Sequence, residues 1–357
     1  MTKTLTFGAA PEVTLAMCAD IIEHVGPRRT PILFGHTGWG KTWISKTVAE
    51  RTGRLGVYFD AASNGLEDLK LPRMQDTETG SCVRMIPSEE LGLHHGVPVT
   101  VMIDEYGKNR SLQNPLMKFM LERTGLMEGS RVFATTNLTG EGLGDAMMPH
   151  HRNRFVLLTV RKPTQSEWEE DFALLNDIDP ALIMATRKTP AFFQPYTDVA
   201  DPKDNPYIYH PKDAARTSFV TGRSLHAASD IIKVRRALGA ESTRACLVGT
   251  VGAPAAELIN TMIAIGDTLP DYSVVAQSPT TARVPDTAAA QIMMALICMQ
   301  NVQQPEFANV MAYIQRMPME MVALFAVRLM KVRSKSGWVS QQSAFTAFAR
   351  KNAQLFT

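Results

Sequence analysis

Residues 34–42 read FGHTGWGKT, with three glycines in six positions followed at once by a lysine and a threonine. The stretch matches the pattern G-x-x-x-x-G-K-[S/T] at every defined position. It follows the apolar run PILF and precedes the helix-like run KTWISKTVAERT. A strand, a glycine loop and a helix in this order predict an α/β fold built around a phosphate-binding loop.

The residue types of this loop suit a nucleoside triphosphate. Glycines let backbone N–H groups turn inward around an anion, and the positive end of the following helix faces the same anion. Lys41 would supply charge to the β- and γ-phosphates, and the Thr42 hydroxyl would ligate Mg²⁺. The predicted nucleotide-binding residues of the loop are Gly35, His36, Thr37, Gly38, Trp39, Gly40, Lys41 and Thr42.

The order of elements predicts three regions. Residues 1–162 alternate β-branched runs with helix-like stretches, which is typical of a parallel sheet flanked by helices. Residues 163–245 are predicted as a helical region interrupted by a Pro- and Asp-rich loop, and residues 246–357 as a second helical region. The predicted strands are 30–35, 55–60, 99–104, 131–137 and 154–160.

The run VTVMID ends in Asp104, and Glu105 follows it directly. A strand here would deliver both carboxylates to the carboxyl edge of the sheet, where ligands bind in doubly wound folds. Asp104 would then hold Mg²⁺, and Glu105 would polarise an attacking water as general base. The alternative is an ordinary acidic pair at the end of a strand, which the phosphate loop upstream disfavours.

Four further polar residues could also act at the nucleotide, although each of these residue types is common at such positions without a function. Asn137 ends the strand RVFATTN and would orient that water, although an asparagine also opens many turns. Arg152 and Arg154 precede the next strand, where an arginine offered across a subunit boundary would stabilise phosphoryl charge. Arg223 would begin a helix of the second region. Surface arginines without such a role are common.

Composition and charge tell little about function and give only an expectation of where in the cell the protein is found. The net charge of +2 gives no reason to expect binding to nucleic acid or a membrane. The first ten residues lack an apolar signal region, and no apolar run approaches the roughly 18 residues of a membrane span. The cysteines lie far apart and predict reduced thiols, so we expect a cytoplasmic protein. They are Cys18, Cys82, Cys246 and Cys298.

Taken in order, these segments resemble the AAA+ ATPases, and within them the MoxR-like group. The resemblance is carried by FGHTGWGKT, VMIDEYGKNRSLQNPLMKFMLE, VFATTNLTGEGLGDAMMPHHRNRF and TGRSLHAASDII. It covers most of residues 10–235 and implies a P-loop AAA+ core followed by an α-helical lid and a C-terminal helical region.

The resemblance implies a role for each position and an assembly. Residues 35–42 would be Walker A, Asp104 and Glu105 Walker B, Asn137 sensor 1 and Arg223 sensor 2. Arg154, with Arg152 as the alternative, would be the arginine finger. Members of the group bind ATP and Mg²⁺ and form rings, usually hexamers. They remodel a client complex beside a partner that carries a von Willebrand A domain.

Two segments depart from the group. Residues 63–96 occupy the position of its pore-facing insertion but lack an aromatic–hydrophobic–glycine triplet, which favours remodelling by domain motion over threading. The loop at 188–214 matches nothing in the group, and is either a long surface loop or a partner-binding element.

Two other functions remain open from the sequence. The first is a DNA-directed AAA+ loader or motor, because such rings also act on DNA and two basic runs, at 233–239 and 328–338, lie on helix-like segments. The second is a scaffold stabilised by nucleotide without hydrolysis. Glu105 argues against the scaffold, which would need no general base.

Overall fold

The computed structural model of the chain describes residues 10–138, 153–213 and 215–355. The chain divides into two compact units. The first runs to Pro163 and includes His210–Lys212, and the second contains Thr164–Tyr209 and Asp213–Thr357. Among the described helices, none is both long and apolar enough to cross a membrane.

The first unit contains a six-stranded parallel sheet and a separate two-stranded antiparallel ribbon. The sheet has the order β1-β8-β2-β7-β6-β3, and β4 and β5 form the ribbon. The described strands are β1 (Glu12–Val13), β2 (Pro31–Gly35), β3 (Leu55–Asp60), β4 (Lys70–Thr77), β5 (Gly80–Pro87), β6 (Val99–Asp104), β7 (Arg131–Asn137) and β8 (Val156–Val160).

Helices cover both faces of this sheet. The helices of the first unit are α1 (Leu15–His24), α2 (Lys41–Thr52) and α3 (Arg110–Glu122). Ile22 of α1 and Val48 of α2 pack with Met102 on one face, and Leu116 of α3 packs with Val101 on the other. The alternating faces of β6 are therefore both buried, as expected for a parallel strand between two helical layers.

The predicted α/β class is confirmed: a parallel sheet flanked by helices is followed by α-helical regions. All five predicted strands form, and α2 has the predicted bounds. The ribbon of β4 and β5 was not predicted. It lies within residues 63–96, and nearly all of its side chains are exposed.

The second unit is built from helices. They are α4 (Gln165–Trp168), α5 (Pro180–Lys188), α6 (Gly222–Lys233), α7 (Arg235–Leu238), α8 (Ala240–Val251), α9 (Ala253–Gly266), α10 (Tyr272–Gln277), α11 (Ala288–Asn301), α12 (Phe307–Ile314), α13 (Met319–Lys331), α14 (Arg333–Val339) and α15 (Ser343–Lys351). A π-helical turn, Glu169–Ala173, follows α4. The predicted boundary between residues 245 and 246 falls inside α8, and the three-region division stays a prediction.

The Pro- and Asp-rich loop after α5 is tied to the helical unit by one arginine. The Arg216 guanidinium donates to the backbone carbonyls of Pro202 and Asn205, each at 3.0 Å, and also to that of Ile208. It forms an ion pair with Asp213 at 2.9 Å. The loop therefore has a fixed path, because its backbone oxygens find their donors in a side chain.

Candidate functional site

The glycine loop joins the end of β2 to the start of α2 and uses backbone that only glycine adopts easily. Gly38 has φ +72° and Gly40 has φ +91°, both in the left-handed region. A Cβ at Gly35 would lie 3.3 Å from Cδ of Lys41 and 3.2 Å from Cβ of Val160. The two later glycines thus make the turn, and Gly35 makes room for the lysine side chain.

Lys41 is the most buried charged group of the loop, with 8% of its surface exposed. Its Nζ donates to the carbonyl oxygens of Gly35 at 2.8 Å and His36 at 2.7 Å, and to Oδ1 of Asn137 at 3.0 Å. These oxygens hold the ammonium at the carboxyl end of β2 and β7. The ammonium therefore lies at the sheet edge where the predicted phosphate groups would bind.

The N-terminus of α2 is open to an anion. Gly40 is its N-cap and has no side chain that could cap the first turn. Thr42 in the first turn is exposed. The first N–H groups of a helix have no partner within the helix, and they and the helix dipole both favour negative charge at this position. The loop and helix start therefore fit a phosphate group.

Asp104 lies at the carboxyl end of β6, where its carboxylate receives four hydrogen bonds. Oδ1 accepts from Oγ1 of Thr135 and from the backbone N–H of Glu105 at 3.0 Å. Oδ2 accepts from Tyr58 at 3.0 Å and from Oγ1 of Thr42 at 3.4 Å. The predicted convergence of Thr42 and Asp104 is therefore present, and it places two hard oxygen ligands of the kind Mg²⁺ takes side by side.

Glu105 adopts a strained backbone directly after the strand. Its φ of +50° lies in the left-handed region, which is uncommon for a residue with a Cβ and is found at functional sites. Its Oε2 forms an ion pair with Nζ of Lys108 at 2.9 Å, and this hydrogen bond and the charge of Glu105 raise the pKa of Lys108. Lys108, three residues further along the chain, thus restrains the carboxylate of Glu105.

The backbone after Glu105 is fixed by buried contacts. The Tyr106 N–H donates to the carbonyl of Thr135 at 2.9 Å, and its hydroxyl donates to the carbonyl of Gln113 at 3.1 Å. Tyr106 has no exposed surface, and this burial raises the pKa of its hydroxyl. Because β7 and α3 both hold Tyr106, the position of Glu105 beside it is set by the core.

Trp39 of the loop packs against Lys162, which follows β8. Trp39 is 5% exposed and Lys162 8% exposed, and Nζ of Lys162 lies 5.0 Å from the centre of the indole ring. A cation over an indole face is favourable, and more so away from water. Trp39 therefore has a packing role in addition to its place in the loop.

The structure describes two of the three predicted arginines. Arg154 is exposed, and its Nη1 lies 3.6 Å from Sδ of Met117 on α3. Arg152 lies outside the described residues. Arg223 is exposed in the first turn of α6, in the helical unit. Their roles at the nucleotide stay predictions.

Three side chains at the site were missed by sequence reasoning: Tyr58, Thr135 and Lys108. Thr135 is the register position opposite Asp104, because Ile103 pairs with Ala134. Tyr58 lies on β3 two residues before Asp60, which pairs with Asp104. Strand lengths alone could have suggested Thr135. Tyr58 could be identified only from the order of the strands, which the sequence does not give.

No family model matches the chain, and no curated protein matches it. Two solved structures resemble it weakly. A protein of Cytophaga hutchinsonii named as a candidate ATPase is 13% identical, with a TM-score of 0.31 over 70% of this chain and 88% of the other. The FIGL-1 AAA domain, solved with ADP, is 16% identical, with a TM-score of 0.35 over 71% and 77%. A functional assignment therefore has to come from the residues of the site.

Proposed function

We propose that this protein is an Mg²⁺-dependent ATP hydrolase of the AAA+ class. The observation that carries the proposal is the position of Lys41, whose Nζ bonds to Gly35, His36 and Asn137 beside an uncapped helix start. ATP would bind with its phosphates on residues 35–42. The sheet edge that holds this lysine also holds Asp104 and Glu105, so binding and hydrolytic groups lie in one unit.

The Mg²⁺ that such a site takes would be held by Thr42 and Asp104. The fit rests on Oγ1 of Thr42 and Oδ2 of Asp104, two oxygens 3.4 Å apart at the edge where the phosphates would lie. When bound, the ion supplies charge that neutralises the β- and γ-phosphate oxygens.

The remaining groups divide the work of hydrolysis between them. Glu105 would accept the proton of the attacking water once the ion pair between its carboxylate and Lys108 has broken. Asn137 would orient that water through its amide while its Oδ1 keeps Lys41 in place. Lys41 would stabilise charge on the γ-phosphate. Glu105 and Asn137 lie at the carboxyl ends of β6 and β7, and Lys41 begins α2 with its ammonium bonded at the ends of β2 and β7, so a rigid sheet fixes all three groups.

The proposed assembly and the proposed client both rest on the resemblance to the MoxR-like group. We expect a homo-oligomeric ring, a hexamer in the usual case, in which Arg154 or Arg152 of one subunit reaches the phosphate site of the next. Arg223 would sense the nucleotide from the helical lid. The ring would act as a chaperone that activates or matures a protein complex, beside a partner with a von Willebrand A domain.

The test is ATP turnover by the wild type and by Glu105→Gln, with Glu128→Gln as the control at an exposed carboxylate. Glu105→Gln should bind ATP with unchanged affinity and lose turnover by about two orders of magnitude or more, whereas Glu128→Gln should match the wild type. Undiminished turnover in Glu105→Gln would refute the assignment. Strong stimulation of the wild type by DNA would instead favour a DNA loader or motor.

A further inference from the structure

The hydroxyl of Tyr58 donates to Oδ2 of Asp104 at 3.0 Å from a strand that carries none of the predicted site residues. β3 lies at the end of the strand order, beside β6, and half of the Tyr58 side chain is exposed. A half-exposed ring at the edge of a sheet contributes little to the core. Its one polar atom is nevertheless bonded to the carboxylate proposed to hold Mg²⁺.

The register explains how Tyr58 reaches this carboxylate. Asp60 pairs with Asp104 and Tyr58 pairs with Met102, so Tyr58, Asp60 and Asp104 share one face of the sheet. That face is covered by α2, because a Cβ at Gly56 would lie 3.4 Å from Cβ of Ala49. The ring therefore extends along β3 towards Asp104 on the side where α2 begins with Lys41 and Thr42.

The two oxygens of the Asp104 carboxylate have different hydrogen-bond partners. Thr135 and the Glu105 N–H hold Oδ1, while Tyr58 supplies one donor to Oδ2. A carboxylate oxygen accepts about two hydrogen bonds, and the second one on Oδ2 is the long bond from Oγ1 of Thr42 at 3.4 Å, which a bound metal ion would replace.

We infer that Tyr58 is a positioning residue for the metal: it fixes the rotation of the Asp104 carboxylate so that Oδ2 and the Thr42 hydroxyl form a ready pair of ligands. The inference rests on the proposed function and names a residue that sets the metal affinity of that same site. Among the described residues, the Tyr58 hydroxyl bonds to Asp104 and to no residue of the phosphate loop, so its loss should leave nucleotide affinity unchanged in the absence of metal.

The experiment is Mn²⁺ binding by electron paramagnetic resonance with ADP present, for the wild type, Tyr58→Phe and Tyr272→Phe. Tyr272 is a matched control, because its hydroxyl donates to Oε2 of Glu306 at 2.6 Å in the helical unit. A hydrogen bond to a charged group is lost in both variants. For Tyr58→Phe we expect a dissociation constant for Mn²⁺ about three- to tenfold higher, the range of an ordinary hydrogen bond, because exposure of the donor weakens its bond to the charged carboxylate.

Each outcome decides a separate point. Mn²⁺ affinity that is unchanged or tighter in Tyr58→Phe, with ADP affinity in EDTA equal to that of the wild type, would overturn the inference. A fall for Tyr272→Phe of the same size would overturn it too, because the effect would then come from general destabilisation. A wild type that binds no Mn²⁺ with ADP would refute the proposed magnesium site itself, and the role of Tyr58 would fall with it.

Discussion

Nζ of Lys41 lies 3.0 Å from Oδ1 of Asn137, although 96 positions separate them in the chain. The contact follows from the sheet, because Gly35 at the end of β2 pairs with Asn137 at the end of β7. Lys41 bonds to Gly35 as well, so one ammonium group joins the ends of two neighbouring strands. The asparagine therefore has a structural role at Lys41 in addition to the predicted role at the water.

Replacing Asn137 by alanine should slow turnover about ten- to a hundredfold and change ATP affinity far less, because the amide that orients the water is lost. Two carbonyl acceptors would still hold Lys41. Steady-state turnover and equilibrium binding of a fluorescent ATP analogue measure the two effects. Asn301→Ala, an exposed amide of α11, should leave both values unchanged. Loss of binding without loss of turnover per bound ATP would contradict the role given to Asn137.

The phosphate loop and its neighbours were predictable because their signals are local. Residues 34–42 contain every defined position of the motif, and the helix after it has the predicted bounds Lys41–Thr52. The run VTVMID ends at Asp104 in both the pattern and the structure. Parallel strands send their carboxyl ends to one edge, so the approach of Thr42 and Asp104 followed without knowledge of strand order.

The parts that were missed depend on register or lack a pattern. Tyr58 joins the site only because β3 pairs with β6. The ribbon of β4 and β5 is exposed along nearly its whole length, so it shows no alternation of buried and exposed positions. Helix α3 begins at Arg110, where the side chain of Asn109 caps it and accepts from the Ser111 N–H at 3.1 Å, and Pro115 lies inside it.

Arg154 gives a prediction about shared sites. If it acts on the neighbouring subunit, Arg154→Ala and Lys41→Met should each lose most turnover, and mixing the two variants should restore part of it. Roughly a quarter of the interfaces in a random mixture would combine an intact phosphate loop with an intact arginine. Turnover per subunit of the separate and mixed variants measures this.

Arg29→Ala, which removes another exposed arginine of the first unit, should keep the wild-type rate and serves as the control. A mixture of Arg154→Ala and Lys41→Met no more active than its components would rule out a trans-acting role for Arg154. Arg152 would then be the next residue to test by the same mixing design.

Arg216→Ala should release the loop after α5. The substitution removes the donors of the Pro202, Asn205 and Ile208 carbonyls, which would then need water. We expect faster cleavage between residues 195 and 213 by a protease of broad specificity, read by mass spectrometry. Arg244→Ala removes an exposed ion pair with Glu257 on α8 and α9 and should not change the cleavage. An unchanged pattern in Arg216→Ala would show that the loop is held by other contacts.

Glu169 is a buried carboxylate of the helical unit, with 1% of its surface exposed. It accepts from Nε of Arg187 at 2.7 Å and from Nε2 of Gln165 at 2.9 Å, and the same guanidinium donates through Nη2 to its second oxygen. Burial alone would raise the pKa of Glu169, but the hydrogen bonds and charge of Arg187 leave it lowered. The carboxylate thus stabilises the fold above its unfolded pKa, and this contribution is lost as the pH falls through the lowered value.

Arg187→Ala should therefore destabilise the protein by about 3 kcal/mol at pH 7, because the buried carboxylate loses its ion-pair partner and keeps only the Gln165 hydrogen bond and the charge of Arg328. Burial would then dominate and raise the pKa of Glu169 above its unfolded value, so the folded state would bind the extra proton. The stability of Arg187→Ala should consequently rise as the pH is lowered from 7 towards 5, whereas that of the wild type should not. Urea unfolding at both pH values measures this, with Lys188→Ala, an exposed neighbour on α5, as the control. Adding Glu169→Gln to Arg187→Ala should remove the pH dependence. If the double variant keeps that dependence, another group is responsible for it.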